Sequence, residues 1–311
     1  MTNPYETSKV VIVGAGLMGC GIAQVFAVKS IQTVICDPVD EARATALDKI
    51  RANLQMQGLD DSRLAFISVA KNLAEEVSNA DFVIEAAPEK LGIKQQIFAE
   101  LAEASASSCI LASNTSVIPI RDIAVGLPNA DRIIGTHWWN PPYLVPLVEV
   151  VQSDRSSIES VQEMIDLLAY VGKKPIHVKK DVTGFVGNRM QHALWREAIA
   201  LINDGVCDPE TIDIAVKNSF GMRLPVLGPI ENADLVGLDL TQDIHNVVLA
   251  DLNVDTRPAA VLREKVAAGE LGMKTGLGFR QWTPDKADGV RKNLIDYLLK
   301  VTKSPFPHSD N

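Results

Sequence analysis

The sequence lacks any uncharged apolar run long enough to span a bilayer, which predicts no transmembrane helix and no membrane partner. Residues 1–8 are polar and lack the apolar stretch of a secretory signal, so we expect no signal peptide. Cysteine is scarce, and the four that occur, Cys20, Cys36, Cys109 and Cys207, lie far apart without zinc-ligand spacing. We therefore expect reduced thiols, a cytoplasmic protein and no metal site.

Positive charge is in the minority. The chain has 30 Lys and Arg residues against 39 Asp and Glu residues, which gives a net charge of −9. This acidic balance disfavours nucleic acids and anionic membranes as partners. A length of 311 residues, 47% of them hydrophobic, is typical of a soluble globular protein with two domains.

The hydrophobic pattern changes once along the chain. Up to about residue 180, short β-branched runs alternate with amphipathic spacing, whereas no convincing strand follows Asp181. This predicts an α/β fold, a doubly wound Rossmann-type and mostly parallel sheet, followed by an all-α C-terminal domain. The predicted domains are residues 1–182 and 183–311. Strands are predicted at 10–13, 32–36, 82–85, 109–112, 132–136, 145–151 and 175–178. Helices are predicted at 17–28, 39–57, 90–104, 156–171, 184–203, 210–217, 231–250, 256–268 and 286–302.

Residues 9–19, KVVIVGAGLMG, form the most informative segment. A buried parallel strand is predicted at 10–13, and three glycines in the pattern G-x-G-x-x-G follow it directly. The first glycine allows a tight turn, the second admits a pyrophosphate close to the backbone, and the third lets the helix pack on the strand. Free amides at the start of that helix favour a phosphate. The predicted dinucleotide contacts in this turn are Gly14, Gly16, Leu17, Met18 and Gly19.

The second predicted strand, 32–36, ends at Asp37, which is 21 residues after Gly16. An acidic side chain at this point accepts both ribose hydroxyls of NAD and repels the additional phosphate of NADP. The alternative is a glycine-rich turn beside a surface aspartate. Because strand, glycines, helix and acid fall in register, NAD is the favoured cofactor.

A carboxylate inside an apolar strand is the second strong signal. Glu149 lies within the apolar run 147–151, and an unpaired carboxylate buried there would cost several kcal/mol. His137, twelve residues earlier at the end of the preceding predicted strand, is the obvious partner. A histidine held by a carboxylate has a fixed tautomer and is suited to act as a general base. The alternative is a core histidine beside an edge-strand glutamate.

Seven segments together resemble the L-3-hydroxyacyl-CoA dehydrogenase family, over nearly the whole chain. They are residues 14–19, 85–89, 113–116, 137–149, 184–189, 228–239 and 274–279. The resemblance implies an NAD-dependent oxidoreductase that transfers a hydride between NAD and a secondary alcohol or ketone β to a carboxyl group. It also implies a homodimer formed through the all-α domain.

The same resemblance implies roles for individual residues. His137 would take the proton of the β-hydroxyl group as general base, and Glu149 would orient it. Ser116 and Asn188 would hydrogen-bond the substrate oxygen and the histidine. Five positions are implied to lie near the cofactor, and they are Glu89, Lys94, Asn114, Asn140 and Lys274.

Two features depart from the acyl-CoA members of the family. Segment 40–79 is shorter than their lysine-rich helical pair, and its cations stand among acids, so a CoA phosphate would lack its usual partners. The loop 221–228 contains Arg223, whose guanidinium is suited to a free carboxylate. This loop resembles the members that oxidise free hydroxy acids, L-gulonate 3-dehydrogenase and L-carnitine dehydrogenase. The alternative for Arg223 is an ion pair with Glu231 or Asp234.

Trp138 and Trp139 replace two phenylalanines that often follow the catalytic histidine in the family. They are predicted to contact the substrate, with core packing as the alternative. A free small hydroxy acid is the favoured substrate class, and a short-chain L-3-hydroxyacyl-CoA such as 3-hydroxybutyryl-CoA is the first alternative. More remote alternatives are a β-hydroxyacid or imine-reducing dehydrogenase, and a non-catalytic, crystallin-like NAD-binding protein.

Overall fold

The computed structural model describes residues 4–303. Contacts between Cα atoms divide the chain into two compact units, Met1–Arg189 and Met190–Asn311. The first unit contains eight strands: β1 (Lys9–Val13), β2 (Gln32–Cys36), β3 (Ile67–Ala70), β4 (Phe82–Glu85), β5 (Ile110–Ser113), β6 (Ile133–Trp138), β7 (Leu147–Val151) and β8 (Lys174–Val178). They form one sheet in the order β3-β2-β1-β4-β5-β6-β7-β8.

All neighbouring strands in this sheet are parallel except β6 and β7, which are antiparallel. Both faces of the sheet are covered, because Val10 and Ile12 belong to one hydrophobic cluster and Val11 and Val13 to another. This two-sided burial explains why the central strands are continuous apolar runs in the sequence. The predicted Rossmann-type sheet is confirmed.

Among the described residues of the first unit, seven α-helices begin. They are α1 (Leu17–Val28), α2 (Asp40–Gln57), α3 (Leu73–Val77), α4 (Leu91–Ala104), α5 (Ile120–Ile123), α6 (Ile158–Tyr170) and α7 (Gly187–Asn203). Helix α2 ends at Gly58, whose φ of +73° is the left-handed conformation that stops a helix. Strand β3 was not predicted, because this short edge strand has only one buried side chain, Ile67, and no apolar run.

The described part of the second unit is helical, which confirms the predicted all-α domain. After α7, its helices are α8 (Pro209–Lys217), α9 (Pro229–Val236), α10 (Leu238–Val248), α11 (Ala260–Ala267) and α12 (Pro284–Lys303). The single helix predicted at 231–250 is wrong. Gly237 adopts a φ of +103°, which an α-helix does not accommodate, and it separates α9 from α10.

The second unit has little hydrophobic core of its own. Among its described residues only Ala200 and Ala287 are buried hydrophobic residues. Large apolar side chains on α9 and α10 are instead 65% to 74% exposed, namely Ile230, Leu235, Leu238 and Val247. Within residues 4–303, no helix is both long and apolar enough to cross a membrane.

Candidate active site

A buried histidine–glutamate pair lies on the hairpin of β6 and β7. His137 and Glu149 occupy directly paired positions of the two antiparallel strands. Nδ1 of His137 is 2.6 Å from Oε2 of Glu149, and both side chains are buried. Opposite residues in an antiparallel pair point to the same face, so the register alone brings these two side chains together.

The second carboxylate oxygen of Glu149 is held by the backbone. Oε1 accepts hydrogen bonds from the amides of Val186 at 2.8 Å and Gly187 at 3.0 Å. Burial raises the pKa of Glu149, but the hydrogen bonds from His137 and the two amides outweigh burial and leave the pKa below its usual value. The ionised carboxylate requires a donor at Nδ1 of His137, which leaves Nε2 as the basic nitrogen.

Two aromatic rings flank the imidazole of His137. The ring centroids of Trp139 and Phe185 lie 5.2 Å and 5.7 Å from its centroid. Phe185 has a φ of +49°, an uncommon value for an aromatic residue, and it turns the chain into α7. A Cβ atom at Gly187 would lie 2.5 Å from Cζ2 of Trp139, so a glycine is required beneath this indole.

Trp138 lies on the opposite face of β6 from His137, because successive side chains of a strand alternate. Its indole is 2% exposed and packs in the core against Phe26, with ring centroids 6.1 Å apart. The sequence left open whether Trp138 contacts the substrate or packs in the core, and in the structure it packs in the core. Trp139 lies beside the imidazole instead.

Ser116 and Asn188 are joined, although not through the serine hydroxyl. Nδ2 of Asn188 donates to the backbone oxygen of Ser116 at 3.0 Å. Asn188 directly follows Gly187, whose amide binds Glu149, so one short segment links the buried pair to the turn at Ser116. Oδ1 of Asn114 accepts from the backbone amide of Trp138 at 3.0 Å, whereas Asn140 is exposed.

Glu89 and Lys94 belong to a polar network below this turn. Lys94 is 1% exposed, and its Nζ lies 2.8 Å from Oε1 of Glu85 in a buried ion pair. Oε1 of Glu89 accepts from Thr115 Oγ1 at 2.5 Å and from the Ser116 amide at 2.9 Å. Burial raises the pKa of Glu89, but the hydrogen bond from Thr115, the charge of Lys94 and the backbone amides lower it overall. Both predicted cofactor contacts thus support the turn that carries Ser116.

The glycine-rich turn has the shape that a dinucleotide needs. A Cβ atom at Gly19 would lie 1.8 Å from the carbonyl oxygen of Gly14, so this glycine makes the close helix–strand contact. A Cβ atom at Gly16 would meet no atom within 4 Å, which leaves open space in front of the turn. No described side chain caps the amides at the start of α1, where Leu17 is exposed and Met18 is half-buried. These free donors fit a pyrophosphate.

Asp37 lies at the end of β2, beside the glycine-rich turn. Its Oδ2 accepts from the amide of Ala15 at 2.8 Å, and its Oδ1 accepts from the amide of Val39 at 2.8 Å. Each oxygen keeps a lone pair for a ribose hydroxyl. Nη1 of Arg43 donates to the backbone oxygen of Asp37 at 2.5 Å, and the same guanidinium pairs with Asp40. The residues present therefore fit NAD.

The remaining predicted positions, Arg223 and Lys274, belong to the second unit and are exposed. Within the described residues Arg223 forms no ion pair, so neither Glu231 nor Asp234 neutralises it. Glu231 binds the backbone amide of Gly228 instead, at 2.6 Å. Across residues 4–303, no group of three or more His, Cys, Asp or Glu side chains is arranged to hold a metal ion.

Three contributors to this site were not identified from the sequence: the ring of Phe185 and the backbone amides of Val186 and Gly187. Backbone donors leave no signature in residue type. A usable signal was the glycine pair at 184 and 187, because glycines that flank an aromatic residue mark a tight backbone approach.

The fold and the site define an α/β dinucleotide-binding protein with a helical C-terminal unit. Residues 9–182 match the NAD binding domain of 3-hydroxyacyl-CoA dehydrogenase, and residues 184–282 match its C-terminal domain. The chain belongs to the 3-hydroxyacyl-CoA dehydrogenase family. The predicted family, NAD cofactor and enzyme class, an NAD-dependent dehydrogenase acting on CH–OH groups, are confirmed.

Individual relatives differ in substrate. The chain is 33% identical to 5-formyl-3-hydroxy-2-methylpyridine 4-carboxylate 5-dehydrogenase of Mesorhizobium japonicum, over 94% of this chain and 97% of the relative. It is 35% identical to L-carnitine dehydrogenase of Nocardiopsis dassonvillei, over 76% of this chain and 73% of the relative.

Similar solved structures also include enzymes with different substrates. A crystal structure of the pyridine carboxylate 5-dehydrogenase, described as an NAD⁺-dependent dismutase, matches with a TM-score of 0.88 and 31% identity. The match covers 95% of this chain and 97% of that chain. A crystal structure of (S)-3-hydroxybutyryl-CoA dehydrogenase from Ralstonia eutropha matches with a TM-score of 0.72 and 34% identity, over 88% of this chain and 99% of that chain.

Proposed function

We propose that this protein interconverts a secondary alcohol and a ketone β to the carboxyl group of a small free acid, with His137 as general base. The observation that carries the proposal is the buried contact of 2.6 Å between His137 and Glu149. A carboxylate whose two oxygens are both hydrogen-bonded fixes the imidazole tautomer and stabilises the imidazolium that forms when Nε2 takes a proton.

The surrounding groups support this chemistry. NAD, when bound, supplies the nicotinamide that accepts or donates the hydride. The glycine-rich turn and Asp37 would hold the dinucleotide, and Asn114 and Asn140 would border its nicotinamide. Ser116 and Asn188 would hydrogen-bond the substrate oxygen and the histidine, which stabilises the developing charge. Glu89 and Lys94 keep the Ser116 turn in place through Thr115.

Most lysines and arginines of segment 40–79 are paired within the protein, which favours a free acid over a CoA ester as substrate. Four of them already contact other groups of the protein. Arg43 pairs with Asp40, and Arg51 pairs with Asp48. Lys49 donates to the backbone oxygen of Ala15, and Arg63 donates to the hydroxyl of Ser30. Cations that are already paired offer little to a phosphate, because a new contact must replace an existing one.

Arg223 is the proposed carboxylate anchor. It is exposed and has no acidic partner among the described residues, so its two parallel donors are free. Among the relatives, one is named for a pyridine 4-carboxylate substrate and another is an L-carnitine dehydrogenase, and neither name contains a CoA ester. Lys274, also exposed, is proposed to lie near the cofactor, and Trp139 to contact the substrate.

A short-chain 3-hydroxyacyl-CoA dehydrogenase is the alternative. The similarity to (S)-3-hydroxybutyryl-CoA dehydrogenase, over 99% of that chain, favours it. An NADH-fluorescence assay with matched pairs of free β-hydroxy acids and their CoA esters separates the two. We expect a free acid to turn over with the higher kcat/KM, and preferred turnover of the ester would overturn our assignment. NADH binding without turnover of any compound would indicate a non-catalytic protein.

We further propose a homodimer, with a second copy covering the exposed apolar side chains of α9 and α10. The proposed domain boundary at 182/183 is supported by the two family models, which meet at 182 and 184. A cytoplasmic location is proposed from the four cysteines, which are all unpaired thiols.

A further inference from the structure

A buried lysine lies beneath the connection between β6 and β7, residues 139–146. Nζ of Lys173 donates to the backbone oxygens of Pro142 and Val145, the latter at 3.0 Å. It also lies 5.6 Å from the ring centroid of Trp138. The connection follows His137 in β6 and leads into β7, which carries Glu149, so the lysine fastens the loop that joins the two halves of the buried pair.

Among the described residues, this ammonium has no acidic partner. Lys173 is 8% exposed, and its described contacts are the two carbonyl oxygens and the indole. Burial alone lowers its pKa to about 8. A cation buried without a counter-charge is unfavourable, and an apolar side chain of similar length would avoid that penalty. The lysine is therefore not explained by packing.

The connection itself is fitted closely to the dinucleotide-binding helix. A Cβ atom at Gly21 of α1 would lie 2.6 Å from Cγ of Pro142, so the proline packs directly on the helix backbone. Nε2 of Gln57, at the end of α2, donates to the backbone oxygen of Tyr143 at 3.3 Å. Asn140, proposed to border the nicotinamide, precedes this anchored stretch by two residues.

We propose that Lys173 is a positioning residue, whose ammonium holds the 139–146 connection by two carbonyls so that Asn140 keeps its place beside the nicotinamide. This inference rests on the proposed role of Asn140, but not on the identity of the substrate. Small displacements at such a position are costly, because a shift of about 1 Å lowers a rate by about 100-fold.

Binding measurements at pH 7 test the proposal without turnover. NADH contains the nicotinamide, whereas ADP-ribose lacks that ring but keeps the pyrophosphate and the adenosine ribose that the glycine-rich turn and Asp37 would bind. In Lys173→Met we expect the Kd of NADH to rise by about tenfold, and the Kd of ADP-ribose to stay within about twofold of the wild-type value. The matched control is Lys174→Met, which changes the adjacent exposed lysine and should leave both constants unchanged.

An unchanged Kd of NADH in Lys173→Met would overturn the proposal. So would a parallel loss of both ligands, since that pattern indicates a general structural defect. If Lys173→Met does not fold, as judged by circular dichroism, Lys173→Gln provides a neutral side chain that still donates hydrogen bonds. In Lys173→Gln we expect the Kd of NADH to rise by at least about threefold, with the Kd of ADP-ribose unchanged. An unchanged Kd of NADH in this variant also overturns the proposal. Failure of the substrate assignment would appear only in the turnover assay.

Discussion

Nδ1 of His137 lies 2.6 Å from Oε2 of Glu149, and the two residues are direct partners across an antiparallel strand pair. The contact is therefore built into the register of the sheet rather than into a mobile loop. Its other support, the amides of Val186 and Gly187, comes from the segment that begins α7.

Replacing Glu149 by Gln should lower kcat by about 100-fold or more while the fold survives, because a neutral amide no longer stabilises the imidazolium of His137. Steady-state kinetics and circular dichroism measure both effects. Gln152→Ala is the matched control, since Gln152 also pairs with a histidine, His177, at 2.9 Å. Near-normal turnover in Glu149→Gln would remove the carboxylate from the mechanism.

Replacing Asp37 by Ala should reduce the preference for NAD over NADP by about tenfold, the effect of losing one hydrogen bond to a charged group. The variant also loses the acceptors for Ala15 and Val39, so thermal melting must accompany the kinetics. Asp37→Asn is the companion variant, because it keeps the size and the acceptor at Oδ1. Unchanged selectivity in both variants would mean that the ribose does not bind Asp37.

Replacing Arg223 by Met should raise KM for a free acid by about tenfold or more, and should leave KM for the matched thioester within about twofold. The reason is that only the free acid offers a carboxylate to the guanidinium. Arg291→Met, on α12, removes a guanidinium that pairs with Asp288 and serves as control. Equal effects on acid and thioester would contradict the proposed anchor.

Stability should depend on the protonation of Lys173. Its pKa is lowered by burial from 10.5 to about 8, so between these values the unfolded chain holds a proton that the folded protein has lost. The titration of Lys173 therefore makes the protein's free energy of unfolding rise with pH over this range, by up to ~3 kcal/mol in total. Urea unfolding across this range should show the rise for the wild type relative to Lys173→Met. A constant difference between the two proteins would contradict the shift.

The homodimer can be tested at the exposed face of α9 and α10. Leu238→Asp and Val247→Asp each place a carboxylate among side chains that a second copy would bury, and they should yield monomers in sedimentation analysis. A wild-type protein that stays monomeric at high concentration would refute the dimer. Val39→Asp, at an exposed apolar position in the first unit, is the control.

Much of the sheet was predictable, because strands covered on both faces are continuous apolar runs. The pairing of His137 with Glu149 was predictable for a related reason, since a carboxylate within such a run requires a partner. Strand β3 was not predictable, because it lies at the sheet edge and gains its structure from pairing with β2. The break at Gly237 depends on one backbone angle that no periodicity encodes.

Side chains whose role depends on register were harder to assign. Trp138 and Trp139 are adjacent and chemically identical, yet strand alternation sends one into the core and leaves the other beside His137. The charge of Lys94 suggested a ligand contact, whereas its side chain pairs with Glu85 at the end of β4, the strand that precedes its own helix. The amides of Val186 and Gly187 are invisible to composition altogether.

The missing methyl group of Gly187 limits which substitutions are possible beside His137. Its backbone serves the carboxylate while its bare Cα accommodates the indole of Trp139, so an alanine is excluded only for as long as the large ring is there. Replacing the indole by a smaller ring first, as in Trp139→Phe, would make room for a Cβ atom at position 187. A change in substrate size should therefore be sought in the double variant Trp139→Phe/Gly187→Ala. The tryptophan must be replaced before the glycine.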